Sequence, residues 1–189
     1  IVDDYPYGGG YGMVLKPEPY FEALEDVISG YTEKPKVIYA SPQGAVFDQE
    51  KAISLAEEKN LIFICGHYKG IDQRVLDTFV DEEISIGDYI ISGGELASLV
   101  IIDAVVRLQP GVLNHIESAD TDSFSDGLLD CPYYTRPEEY RNMKVPEVLL
   151  SGHHANIEEW RLEKKVEKTR LIRPDLYDAY CKRDIINKK

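Results

Sequence analysis

The sequence predicts an α/β fold, a mostly parallel sheet with helices on both faces, followed by a small and mainly helical second unit. Three observations point there. Short β-branched and aromatic runs alternate with stretches of helical periodicity through the first half. One of these runs, NLIFIC at residues 60–65, is apolar from Leu61 to Cys65, as suits a strand covered on both faces. From Pro110 to Gly127 the pattern turns polar and loses its period, and a second patterned unit begins at Leu128.

Each element has its own signal. Phe21, Leu24, Val27 and Ile28 recur at helical spacing within residues 20–28, and Ser29-Gly30 supplies a stop. Residues 36–40 (KVIYA) read as the first strand, closed by Ser41-Pro42-Gln43-Gly44. Asp48, whose short carboxylate can accept from the free amides of a first turn, then caps a helix running to about Lys59. The second strand covers residues 60–65 and ends in Gly66; residues 71–79 suit a helix and residues 88–92 (DYIIS) a third strand. Gly93-Gly94 opens an apolar helix from Glu95 to about Leu108. In the second unit an amphipathic helix centres on Ile157, Trp160, Leu162 and Val166. The domains therefore read as 1–113, a connector at 114–127, and 128–189. The opening IVDDYPYGGGYGM is a turn-rich loop rather than a natural domain edge, which suggests that further residues lie upstream.

With 189 residues, 43% hydrophobic and 29% charged, the composition is that of a globular protein and excludes disorder. The longest nearly uncharged run, residues 96–106, is broken by Asp103 and is too short to span a bilayer. Cys65, Cys131 and Cys181 are too few and too scattered for a disulfide framework, which makes a reducing cytosol the default location. Charge divides unevenly. Residues 1–127 carry 8 Lys and Arg against 23 Asp and Glu, whereas residues 128–189 carry 13 against 11. The acidic balance argues against nonspecific nucleic-acid binding. A basic stretch with Arg161, Lys164, Lys165, Lys168, Arg170 and Arg173, then Lys182, Arg183, Lys188 and Lys189, could still form a local site, but interspersed Glu158, Glu159, Glu163 and Glu167 favour a solvated helix face.

In parallel sheets, ligands collect at loops leaving the carboxyl ends of strands. Here those loops read SPQG, CGHYKGID and SGGEL. Taken singly, their glycines are turn residues; taken together at one sheet edge they allow close approach of backbone to a ligand. GxGxxG and GxxxxGK[ST] are both absent, as are HExxH, GxSxG and CxxC. His67, His115, His153 and His154 show no metal-ligand spacing. Two further polar residues stand out, each with a plain structural account: Arg107 is a cation near a helix C-terminus, and Asp122 an N-cap before a helical turn at residues 123–128.

VDDYPYGGGYGM (2–13), YASPQG (39–44), CGHYKGIDQRV (65–75), SIGDYIISGGEL (85–96), PGVL (110–113), DSFSDGLLDCPYYTRP (122–137) and LLSGHHANIEEWRL (149–162), in this order, resemble the bacterial tRNA (guanine-N1)-methyltransferases. The resemblance implies a SPOUT-type α/β domain with a C-terminal trefoil knot, an exception to ordinary chain topology. It implies a site for S-adenosyl-L-methionine at Tyr39, Ser41, Pro42, Gly66, Tyr68, Ile86, Gly87, Asp88, Tyr89, Ile90, Ile91, Gly93 and Gly94. It implies methylation of N1 of the guanosine 3′ of the anticodon, with Asp122 as general base and Arg107 stabilising charge on the guanine oxygen. A homodimer and tRNA are the implied partners, with no membrane; residues 128–189 would bind the tRNA. The sequence departs from the family's pattern in three ways. Lys69 stands where Glu is usual in CGxYEGID, which weakens the case for magnesium and puts a positive charge near the methionine end of the cofactor. Ala97 replaces a common Pro, and the family's first strand and helix are absent from the sequence. A cofactor- or tRNA-binding module that has lost catalysis is the alternative reading, and an enzyme of the same fold acting on ribose hydroxyls a third.

Overall fold

The computed structural model describes residues 1–112 and 121–187, with side chains in the last helix described as far as residue 183. It divides into two compact units, Ile1–Leu113 and Asn114–Lys189. Residues 114–120 of the expected connector, with His115, and Lys188 and Lys189 of the basic stretch lie outside the described residues.

The first unit is built on a three-stranded parallel sheet. In chain order come β1 (Asp3–Asp4), β2 (Val14–Leu15), α1 (Pro17–Ser29), β3 (Lys36–Val46), α2 (Gln49–Ala56), β4 (Leu61–Cys65), α3 (Gln73–Phe79), β5 (Glu82–Ser85) and α4 (Glu95–Val106). β3 is central, with β4 on one side and β5 on the other, both parallel to it. Successive side chains of β3 go to opposite faces, as a pleated strand requires. Val37 and Tyr39 join Leu24 of α1 and Val75 of α3 in one cluster; Ile38 joins Leu55 of α2 and Ile101 and Val105 of α4 in the other. Phe21 and Phe79 meet edge to face, their centroids 4.8 Å apart, closing the first layer. Ile38, Leu55 and Ile101 are fully buried, each contributing about 1.5–3 kcal/mol by burial. Two helices thus cover each face, as the alternation predicts.

Three sequence expectations need correction. The third strand is Glu82–Ser85, not residues 88–92. EEIS hides its strand because Glu82 at its start is neutralised by Lys51 at 2.5 Å and Lys36 at 3.2 Å, leaving only Ile84 and Ser85 to be buried. Residues 88–92 have strand-like composition, yet Tyr89, Ile90 and Ile91 remain exposed in a loop. The first strand also continues beyond Ala40 to Val46: Ala40 and Ala45 both face Ile84, so residues 41–44 bulge out of the ladder. The helix after Asp48 stops at Ala56, although the cap is as expected, with Asp48 accepting from the Lys51 amide at 2.8 Å.

In the second unit, irregular chain from residue 122 leads to a hairpin of β6 (Glu139–Tyr140) and β7 (Met143–Lys144), and to the helices α5 (Glu147–Leu150), α6 (His154–Ile172) and α7 (Pro174–Asn187). The helical turn expected at residues 123–128 does not form. The Asp122 carbonyl instead accepts from the Ser125 amide and hydroxyl, and the Phe124 amide donates to Leu128 at 2.8 Å, which makes a compact turn. α6 is helical as expected, and Ile157, Trp160 and Val166 are covered, but Leu162 is 48% exposed; Arg161, Lys164, Lys165 and Thr169 complete the covered stripe. Among the described residues no helix is long and apolar enough to cross a membrane.

Candidate functional site

At the carboxyl ends of the strands the bulge of β3 and the loops after β4 and β5 enclose a cavity of about 470 Å³. That volume suits a small organic ligand. Its walls include Tyr39, Ser41, Pro42, Gly66, Tyr68, Ile86, Gly87, Tyr89, Ile90, Ile91, Gly93 and Gly94. Among the positions that the resemblance assigns to the cofactor, Asp88 is the one that does not line it. Sequence reasoning passed over Gln43, Gln73, Leu76 and Ser92, which also face the cavity. Their only signal was adjacency to the loops already singled out.

The walls are backbone brought close together. A Cβ on Gly94 would lie 2.9 Å from the Cys65 Cα and 3.0 Å from the Gly66 nitrogen. The Gly94 amide donates to the Gly66 carbonyl at 2.9 Å, so the loops after β4 and before α4 are bonded edge to edge. A Cβ on Gly66 would lie 2.6 Å from the Tyr39 hydroxyl oxygen. Burial raises the Tyr39 pKa, so its hydroxyl is a neutral hydrogen-bonding group. Across the rim His67 Nε2 meets Glu95 Oε1 at 2.6 Å, and this hydrogen bond is the main cause of the lowered Glu95 pKa. Ile90 at 81% and Tyr89 at 56% exposure leave apolar surface for a flat ring. A site of this kind offers shape and backbone polarity. Among the described residues no three His, Cys, Asp or Glu side chains converge as a metal site.

Arg107 belongs to the first unit and Asp122 to the second. Arg107 is the C-cap residue of α4, its amide donating to Asp103 at 3.1 Å. Asp122 begins the compact turn of the second unit. The basic residues of α6 are largely engaged within their own unit: Arg161 with Glu158 at 2.8 Å, Lys164 with Glu167 at 2.6 Å, and Lys165 with Asp126 at 2.5 Å.

A family model described as tRNA (Guanine-1)-methyltransferase TrmD matches residues 1–179. The chain belongs to this methyltransferase family. It is 56% identical to the tRNA (guanine-N(1)-)-methyltransferase of Lachnospira eligens over 96% of this chain and 77% of that protein. With the enzyme of the same name from Brevibacillus brevis the identity is 56%, over 99% and 76% of the two chains, and with that from Shouchella clausii 58%, over 95% and 73%. The chain thus spans about three quarters of the length of these relatives. Membership makes it an S-adenosyl-L-methionine-dependent tRNA (guanine-N1)-methyltransferase and implies a SPOUT-type fold. Membership in the methyltransferase family fits a cavity walled by closely approached backbone, because in such a reaction the reactive carbon arrives with the ligand.

Proposed function

We propose that the chain methylates N1 of the guanosine immediately 3′ of the anticodon, with Asp122 as general base and Arg107 as electrostatic partner. The observation that carries this reading is the cavity walled by Gly66, Gly93 and Gly94 against Tyr39. Its residues fit S-adenosyl-L-methionine. The closely approached backbone supplies amides and carbonyls for an adenine and a ribose, and Ile90 and Tyr89 supply apolar surface for the ring. In this reading Ser41, Pro42, Tyr68, Ile86, Gly87, Asp88 and Ile91 complete the site. A C-terminal trefoil knot belongs to the same proposal, as do a cytoplasmic location and tRNA binding by residues 128–189. So does a homodimer, for which Leu96, Leu99, Val100 and Val106 leave apolar surface exposed on α4.

When bound, the sulfonium supplies an electrophilic methyl group. Neutral guanine carries hydrogen on N1, so a base must take that proton before the nitrogen's electron pair can form a new bond. The Asp122 carboxylate accepts it. Electron density then gathers on the guanine oxygen, where the Arg107 guanidinium offsets the charge. The glycine bends hold the ligand in one orientation, which supplies proximity.

Single-turnover transfer of labelled methyl to a tRNA with two consecutive guanosines tests this, run with and without magnesium. Asp122→Ala should lower the rate by about 10²–10⁴-fold with cofactor affinity retained. Near-normal turnover in that variant rejects the base assignment. A wild-type protein that binds but never transfers label favours the impaired module, and label arriving on tRNA already methylated at N1 favours a ribose target.

A further inference from the structure

The loop after β4 turns on residues 67–70, where the Gly70 amide donates to the His67 carbonyl at 3.0 Å. Tyr68 in this turn has φ 59°, a left-handed conformation that a bulky aromatic residue adopts only under constraint. The constraint sets the next residue. The Lys69 amide donates to Met13 at 3.0 Å, and its aliphatic stem lies along Gly12, where a Cβ would stand 3.0 Å from Cγ and 3.4 Å from Cε. Lys69 is one of the cavity's lining residues. Its stem is therefore ordered beforehand, so binding need not supply the entropy of fixing it.

The charge environment sets Lys69 apart. In the first unit Lys16, Lys34, Lys36, Lys51 and Lys59 each form an ion pair with a carboxylate. Among the described residues Lys69 forms none, although residues 1–113 contain 19 Asp and Glu. A lysine that lines the cavity, in an acidic unit, without a carboxylate of its own among the described residues, can give its charge to an anion from outside.

We propose that Lys69 is an oxyanion-recognition residue of this site, taking an anionic oxygen of a bound substrate. The inference rests on the methyl-donor reading of the cavity. The oxygen belongs either to the carboxylate at the methionine end of the donor or to a phosphate of the RNA, and the two sources are separable. Lys69→Met keeps the stem against Gly12 and removes the charge; Lys69→Arg restores it. Calorimetry with S-adenosyl-L-methionine and with methylthioadenosine, which lacks the amino-acid end, reads the first source. An anticodon stem-loop RNA titrated at several salt concentrations reads the second. For a carboxylate, Lys69→Met binds S-adenosyl-L-methionine roughly two- to fivefold more weakly, methylthioadenosine is unchanged, and Lys69→Arg recovers the loss. For a phosphate, donor affinity holds while RNA binding weakens similarly and the salt slope falls by about 0.7–1. A Lys69→Met protein that matches wild type toward all three probes overturns the proposal while leaving the methyl-donor reading intact. Wild-type protein that binds neither the donor nor the RNA overturns both.

Discussion

The two units are held together by different physics. In the first, apolar side chains from four helices cover both faces of a parallel sheet, and loops at one edge close so tightly that backbone lies against backbone. In the second, Gly127, Leu128, Cys131 and Thr169 are the buried residues among those described, and α6 is tied down by polar groups. The Thr169 hydroxyl accepts from the Leu129 amide at 2.8 Å and donates to the Lys165 carbonyl at 2.7 Å, while Lys165 reaches Asp126 and Lys168 the Asp130 carbonyl. A densely packed sheet fixes atoms to the tolerance that a small-ligand pocket needs. Polar ties over a thin core permit adjustment, which suits contact with a large and uneven surface.

Gly94→Val attacks the first arrangement most directly. Gly94 has φ −77°, so the cost is steric rather than conformational, and the new side chain meets the Cys65 and Gly66 backbone, which cannot swing aside. The expected loss is about 3 kcal/mol of stability with donor binding abolished, read by denaturant unfolding and calorimetry. Thr169→Val comes next. The shape is kept, but the Leu129 amide loses its acceptor, at a cost of about 1–2 kcal/mol confined to the second unit. Hydrogen exchange should rise around residues 126–130 and along α6 while donor affinity stays constant, and Thr169→Ser should restore protection. If donor affinity fell as far as stability, the contrast between the units would be wrong.

The same contrast explains what could be read in advance. Periodicity located the strands and helices of the first unit wherever apolar burial decides the structure: NLIFIC became β4, and Asp48 capped α2. It failed where charge compensation or function decides. EEIS is a strand although it opens on two carboxylates, because Lys36 and Lys51 converge on Glu82 from elsewhere in the chain, and the apolar Tyr89, Ile90 and Ile91 line a cavity rather than a core. Leu162 misled for a related reason: of the expected stripe Ile157, Trp160 and Val166 are covered, but α6 covers Thr169 and the stems of Lys164 and Lys165 rather than Leu162. Most of the candidate site was legible from residue order in the strand-end loops. Lys69 was visible as a departure from the family's pattern, but its lack of a carboxylate partner depends on where every other lysine of the first unit finds one.

The smallest expected effect concerns acid. Burial would raise the pKa of Glu82, but hydrogen bonds from Lys51 and Lys36 outweigh that and hold it below the ordinary carboxylate value; Asp81 is likewise lowered against its burial by Lys34 and the Val37 amide. A carboxylate with a depressed folded-state pKa adds stability above its unfolded value, and that contribution disappears as pH falls through the folded value. The first unit should therefore lose stability below about pH 4.5, where unfolded carboxylates begin to take up protons. Glu82→Gln should remove no more than about 1 kcal/mol at neutral pH and flatten this acid slope. In the second unit Asp175 and Glu167 are also lowered, by hydrogen bonds from Arg173 and Lys164, yet both are solvent-exposed. Their pairs should fade in 1 M salt, whereas the half-buried Glu82 pair should persist. Acid titrations of each unit's hydrogen exchange at low and high salt measure the difference. Equal salt sensitivity would mean that the sheet's buried edge shields Glu82 no better than open solvent shields α6.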